Sequence, residues 1–233
     1  VWHNGIMEQF KVSGGTNKGN VKDDLLGKKK TVGGQEYLTD LIETDSDLSD
    51  FLDNELRWVS STSGRAKMFP DLMHTALTAV KDGERRFPSI AMMSTAHGVK
   101  TEDGKTWLPG FAPDGDNCRI ELLGPVVEEV DGGPALRVFS DKPREKTTSM
   151  NTGKTKNGHS ILLKLTYRDL NVLFGGDLNS SAEMFLLNHY TGLPVYDPIE
   201  APEDMVIGAG SQVFGVDVAK ACHHGSADFT DTF

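Results

Sequence analysis

The chain has 233 residues, enough for one large domain or two small ones with a real core. Hydrophobic residues make up 37% and charged residues 25%, the mixture of a globular chain, and no run of 18 apolar residues offers a membrane span. A formal net charge of −10 repels polyanions, so nucleic acid is not supported as a partner by charge, and the short run Lys28-Lys29-Lys30 reads as a solvated loop rather than a basic patch.

The chain does not begin with Met and opens inside what reads as a strand, without the basic start and apolar segment of a signal peptide. It is therefore expected to be a piece of a longer protein. Compartment stays open, with the cytoplasm slightly favoured. Cys118 and Cys222 suit neither a disulfide framework nor a paired-cysteine zinc site. Residues 13–35 are rich in Gly, Lys, Asn and Asp and read as a loop. The spacing of Leu38, Leu41, Ile42, Leu48, Phe51, Leu52 and Leu56 predicts two short helices with a capped break near Asp45. A cleaner helix is predicted from Pro70-Asp71 to Gly83, carrying His74 as an ordinary histidine.

From residue 87 the texture turns to strands: "SIAMMST", "CRIELLGPVV" stopped at Gly124-Pro125, and "ALRVFS". A polar loop is expected over 141–157. "SILLKLTY" and "NVLFGGDL" read as a hairpin joined by Arg168-Asp169. "SAEMFLLNHY" reads as a helix that Asn179, Ser180 or Ser181 can cap. A link rich in Pro and Gly is expected over 192–210, and "VFGVDVAKAC" as the last strand. The class is α/β or α+β, with one domain over 1–233 and a helical insertion at about 36–83.

Three features point to chemistry. Thr152-Gly153-Lys154-Thr155 is not a phosphate loop, because Thr148 stands where that motif needs its first glycine. Asp177 ends an apolar strand after Gly175-Gly176. A carboxylate there either caps the next helix or is paired or bound to a metal. His223-His224 end another apolar strand, and imidazole with carboxylate suits zinc, manganese or iron. His159 opens the strand that pairs with the Asp177 strand, so an antiparallel hairpin brings both to one edge and makes His159 a candidate ligand. His97 is a weaker candidate, His189 reads as a helix-end residue and His3 as structural.

The order of Asn157, Ser160, Gly176-Asp177 and His223-His224-Gly225-Ser226, set around apolar strands, resembles the metallo-β-lactamase superfamily over roughly residues 119–229. The branch it resembles contains the hydrolase domain of bacterial competence proteins and the phosphorylcholine esterase of teichoic acid. The resemblance implies a four-layer αββα sandwich, incomplete in this chain, with two divalent ions at one edge, zinc first and manganese or iron as alternatives. It implies Asp177 as the carboxylate bridging the metals and His224 as the final imidazole ligand. His223 would stand beside it, facing substrate or serving as the alternative ligand. Asn157 and Ser226 would support the site. The implied activity is hydrolysis of a phosphodiester or phosphoester. Other esters, lactones or amides are the alternative on the same fold, and an inactive binding or scaffold domain is the alternative of another class. The family's HxHxDH motif has no counterpart here, since no two histidines are separated by one residue. It is expected upstream of Val1, so this stretch alone would hold half a metal site and turn nothing over.

Overall fold

The structure is a computed structural model that describes residues 1–7, 26–53, 64–113, 118–140, 151–195, 197–220 and 222. Among these residues the chain is mixed α+β. The strands are β1 (Trp2–His3), β2 (Lys29–Val32), β3 (Gln35–Leu38), β4 (Val80–Lys81), β5 (Glu84–Arg85), β6 (Ala91–Met92), β7 (Val99–Lys100), β8 (Thr106–Trp107), β9 (Cys118–Gly124), β10 (Glu128–Val130), β11 (Gly133–Arg137), β12 (Leu162–Tyr167), β13 (Leu170–Phe174) and β14 (Val218–Lys220). The helices are α1 (Asp45–Asp53), α2 (Gly64–Thr78), α3 (Thr152–Gly158), α4 (Ser180–Thr191) and α5 (Glu203–Phe214). None of the described helices is long and apolar enough to cross a membrane.

The chain divides into two compact units. The first comprises Val1–Met93 and Glu128–Arg137. Its larger sheet has the order β10-β11-β3-β2, and its core gathers Met7, Ile42, Leu48, Phe51, Leu52, Met73 and Ile90. The lysine run does not lie in a loop: Lys29 and Lys30 belong to β2, and Lys29 pairs with Glu36 at 3.3 Å. Gly33 and Gly34 at φ 58° and 82° make the tight turn that folds β2 onto β3, a backbone that residues with a Cβ resist. The helix expected near residue 38 is also a strand. Leu38 pairs with Leu136 of β11 and is fully buried, so tertiary pairing overrides a spacing that fits either period. Among the described residues α1 follows, starting at Asp45. Helix α2 begins at Gly64, well before the expected start, and Pro70 lies inside it.

The second unit, Ser94–Val127 with Val138–Phe233, holds the candidate site. Its sheet has the order β14-β13-β12-β9-β8-β7. The predicted hairpin is present: β12 and β13 pair antiparallel from Leu163↔Phe174 to Tyr167↔Leu170, with Arg168 at φ 53° in the turn. β9 runs antiparallel along the other side of β12, and β14 lies parallel to β13. Leu123, Val126, Phe139, Leu162, Leu173, Phe185, Leu186 and Phe214 form the core.

Two stretches read as irregular are helical. Within the polar 141–157 segment, residues 141–150 lie outside the described residues, while 152–158 form α3 despite two glycines. Asn151 caps it, its Oδ1 accepting the Lys154 N–H at 3.0 Å. The Thr155 hydroxyl then ties it to Phe139, accepting the N–H at 3.0 Å and donating to the carbonyl at 3.2 Å. The expected 192–210 link contains most of α5. Glu203 and Asp204 in its first turn complement the helix dipole. Gly210 lets α5 close on α4, because a Cβ there would come within 2.9 Å of the Leu187 Cδ2. The last strand is correspondingly short, Val218–Lys220.

Candidate functional site

The site is built where β13 ends. Antiparallel pairing sets the start of β12 beside the end of β13, so residues 157–160 and 175–177 meet at one edge of the sheet. A single hydroxyl joins them. Ser160 Oγ donates to the Asn157 carbonyl at 2.8 Å and accepts the backbone N–H of Asp177 at 2.9 Å. The turn in between needs glycine. Gly176 has φ 60°, and a Cβ on it would sit 2.6 Å from the Ser160 Cβ. Gly175 is equally hemmed in, since a Cβ there would collide with the Cys222 Sγ. The result is a half-buried Asp177 at the sheet edge, on a glycine backbone packed closely against Ser160 and Cys222.

Asp177 is not the cap of the next helix. Asn179 does that work: fully buried, it accepts the Ala182 N–H on Oδ1 at 3.3 Å and donates from Nδ2 to the Lys154 carbonyl at 2.8 Å. It thereby welds the starts of α3 and α4 to the edge. Asn179→Ala is expected to lower the unfolding free energy by about 2 kcal/mol, a lost cap together with an exposed buried acceptor, read from the urea midpoint.

The candidate residues take different places. His159 arrives at the expected edge, but its ring is 1% exposed and packs on Phe139 with centroids 5.0 Å apart. It approaches the edge from inside the protein. Asn157 contributes its carbonyl to Ser160. His223, His224, Gly225 and Ser226 lie outside the described residues. What is described is the strand that leads to them: β14 runs parallel to β13, pairing Phe174 with Lys220, so its C-terminal end is the Asp177 end. The Lys220 ammonium donates to the Gly176 carbonyl at 2.9 Å.

Of the other histidines, His97 bonds Ser94 Oγ through Nδ1 at 2.7 Å within a turn, and His74 is exposed on α2. His189 lies in the last turn of α4 with its ring edge-on to Tyr190. His3 is buried, its Nδ1 accepting the Gly5 N–H at 3.1 Å.

The residues passed over in the sequence are Glu183 and Cys222. Glu183 is fully buried in α4, and a charge inside the apolar run "AEMFLL" is itself a signal. Cys222 is 4% exposed, and burial pushes its thiol up to about 11, with the carboxylates of Glu183 and Asp177 adding to the rise and Lys220 opposing it. The thiol therefore stays protonated at neutral pH. Because the folded state holds that proton more tightly than the unfolded chain, its contribution to stability is lost as pH rises through about 9 to 11. At pH 8 iodoacetamide is expected to alkylate the half-exposed Cys118 first, with Cys222 reacting only on unfolding; peptide mapping reads the order.

A separate concavity of about 580 Å³ lies in the same unit, lined among others by Lys105, Glu121, Leu123, Tyr190 and Val213. Lys105 pairs with Glu121 at 3.4 Å, and Lys164 donates to the Val213 carbonyl at 2.8 Å, with burial lowering its pKa.

Among the described residues no three His, Cys, Asp or Glu side chains stand together as a metal-binding group. What the edge offers is one half-buried carboxylate on a glycine cradle, and this fits one oxygen ligand of a larger donor set. No family model, curated protein or solved structure matches the chain.

Proposed function

We propose that this chain carries the carboxylate–histidine half of a metal-dependent hydrolase centre that acts on phosphodiesters or phosphoesters, in a four-layer αββα sandwich. The observation that carries the reading is the edge itself. Ser160 pins the Asp177 backbone, Gly175 and Gly176 pack it closely against Cys222 and Ser160, and β14 runs out at the same end of the sheet, ahead of His223-His224 in sequence. Asp177 would be the bridging carboxylate and His224 an imidazole ligand of two divalent ions, zinc or alternatively manganese or iron. His159 would join them from the buried side, where its ring rests on Phe139. Such ions supply a nucleophilic hydroxide at neutral pH and offset charge on the leaving oxygen.

The protein's own part is placement. Ser160 and Asn157 tie down the Asp177 backbone, and Lys220 holds the Gly176 carbonyl, so the main chain that carries the carboxylate is fixed before any ligand arrives. His223 would face the substrate beside His224, and Ser226 would support the site by hydrogen bonding.

The test uses the full-length protein. Metal content is measured first, then turnover of bis(4-nitrophenyl) phosphate against a panel of lactones and carboxylic esters. Bound metal with phosphodiester turnover supports the reading. Turnover of lactones or esters instead moves the substrate class, and a metal-free, inactive protein leaves a binding or scaffold domain.

A further inference from the structure

The concavity of about 580 Å³ lies at the far end of α4 from the Asp177 edge, where the last turns of α4 and α5 meet β9 and the β7–β8 turn. Tyr190 fixes its shape. The ring meets His189 and Phe214 edge-on, with centroids 4.8 and 5.6 Å away, and the hydroxyl donates to the Leu123 carbonyl at 2.8 Å. Leu123, Val126, Val127 and Val213 continue an apolar lining. A preformed hollow of this size, mostly apolar with a few convergent polar groups, is the usual form of a small-molecule site.

The polar groups gather on the sheet. Antiparallel register sets Glu121 of β9 between Trp107 of β8 and Lys164 of β12, all on one face. The Lys105 Nζ lies 3.4 Å from the Glu121 carboxylate and 5.7 Å from the centroid of the Trp107 ring. The Glu121 side chain is 12% exposed and that of Lys105 48%, so the carboxylate is the fixed partner and the ammonium the adjustable one. Lys164 donates to the Val213 carbonyl and so offsets the negative pole at the end of α5. Burial holds its ammonium below the ordinary lysine range; Glu121 opposes that fall and Lys105 adds to it. Two ammonium groups thus share one carboxylate. At the rim Lys100 and Asp103 carry opposite charges and leave the excess of one positive charge unchanged.

We propose that this concavity binds a small organic monoanion, a carboxylate with an apolar body, whose head rests on Lys105 beside Glu121 and Lys164 and whose body lies along Tyr190, Val126 and Val127. One negative charge balances the two ammonium groups that now share Glu121. A dianion such as a phosphate monoester would exceed that balance and be repelled by Glu121, and a ligand ammonium would meet Lys105 and Lys164 as like charges. None of the residues that line the concavity belongs to the Asp177 edge, so the site stands apart from the metal-centre reading.

The experiment titrates the full-length protein by calorimetry with octanoate, octanol and octylammonium, which share one apolar body and differ in the head. Octanoate is expected to bind about tenfold more tightly than octanol, the worth of a charged hydrogen bond, and octylammonium to bind most weakly. Lys105→Met should bring octanoate down to the level of octanol and leave octanol unchanged. Gln212→Trp, at an exposed position on the lining, should weaken all three by filling the space. Equal affinity for the three heads, tighter binding of octylammonium, or no binding of octanoate overturns the proposal. So does wild-type affinity for octanoate in Lys105→Met. A measurement on wild type alone covers a variant that fails to fold. A photoreactive diazirine analogue of octanoate should label residues 122–127 or Tyr190 in peptide maps, and label confined to other segments overturns the site.

Discussion

Under the proposed function, Asp177→Ala is expected to lower phosphodiester turnover by the full-length protein about 10³-fold, the rate equivalent of the several kcal/mol that a bound metal would contribute to the transition state. The fold should survive. The edge is held through the Asp177 backbone N–H, which alanine retains, and not through its half-buried side chain. Stability by urea, metal content by mass spectrometry and kcat/KM measured together separate the two effects. A variant with intact stability, intact metal and intact kcat/KM would remove Asp177 from the site.

The largest expected effect on stability is at Gly176. A left-handed backbone costs an L-residue about 1–2 kcal/mol wherever it occurs. At Gly176 an added methyl also meets the Ser160 Cβ at 2.6 Å and its Oγ at 2.8 Å, and crowding of that kind costs about 1–3 kcal/mol more. Gly176→Ala should therefore lose about 2–5 kcal/mol. Gly192 supplies the comparison. It has φ 70° at the end of α4, and a methyl added there would meet nothing within 4 Å, so Gly192→Ala should lose only the backbone share. Equal losses in urea denaturation would mean that Ser160 yields to the methyl, and the edge is then softer than its hydrogen bonds suggest.

Much of the second unit is readable in the sequence because its signals are local. The β12–β13 hairpin follows from two apolar runs around Arg168-Asp169, and the cap of α4 from Asn179 ahead of an apolar helix. The meeting of residues 157–160 with Asp177 needs only the geometry of that hairpin. The elements that differ from expectation depend on partners distant in sequence. Leu38 fits a helical spacing until β11 offers Leu136, and α3 is held by Thr155 reaching Phe139. The 203–214 segment looks like a linker because it is rich in Gly, yet Gly210 is what allows its approach to Leu187. At the site, the apolar neighbours of α4 hide Glu183, although the burial of a charge there is the stronger clue. His159 reaches the expected edge through strand pairing alone, but its ring turns inward onto Phe139, a residue 20 positions away that no local pattern points to.

The parallel pairing of β13 with β14 also sets the order in which the edge can be completed. Tyr167 finds Leu170 across a turn, whereas Val172 finds Val218 only after about 46 residues have been laid down, with α4 and α5 packed between them. Closing that span has a high entropy cost until α4 and α5 repay it, and parallel partners far apart in the chain are the slow contacts of a fold. The hairpin that carries Asp177 is thus a local contact, and the β13–β14 pairing that leads toward the histidines is a distant one. Under the proposed function, the carboxylate side of the edge rests on local pairing and the histidine side on long-range pairing, so loss of the β13–β14 contact would separate the two halves of the centre.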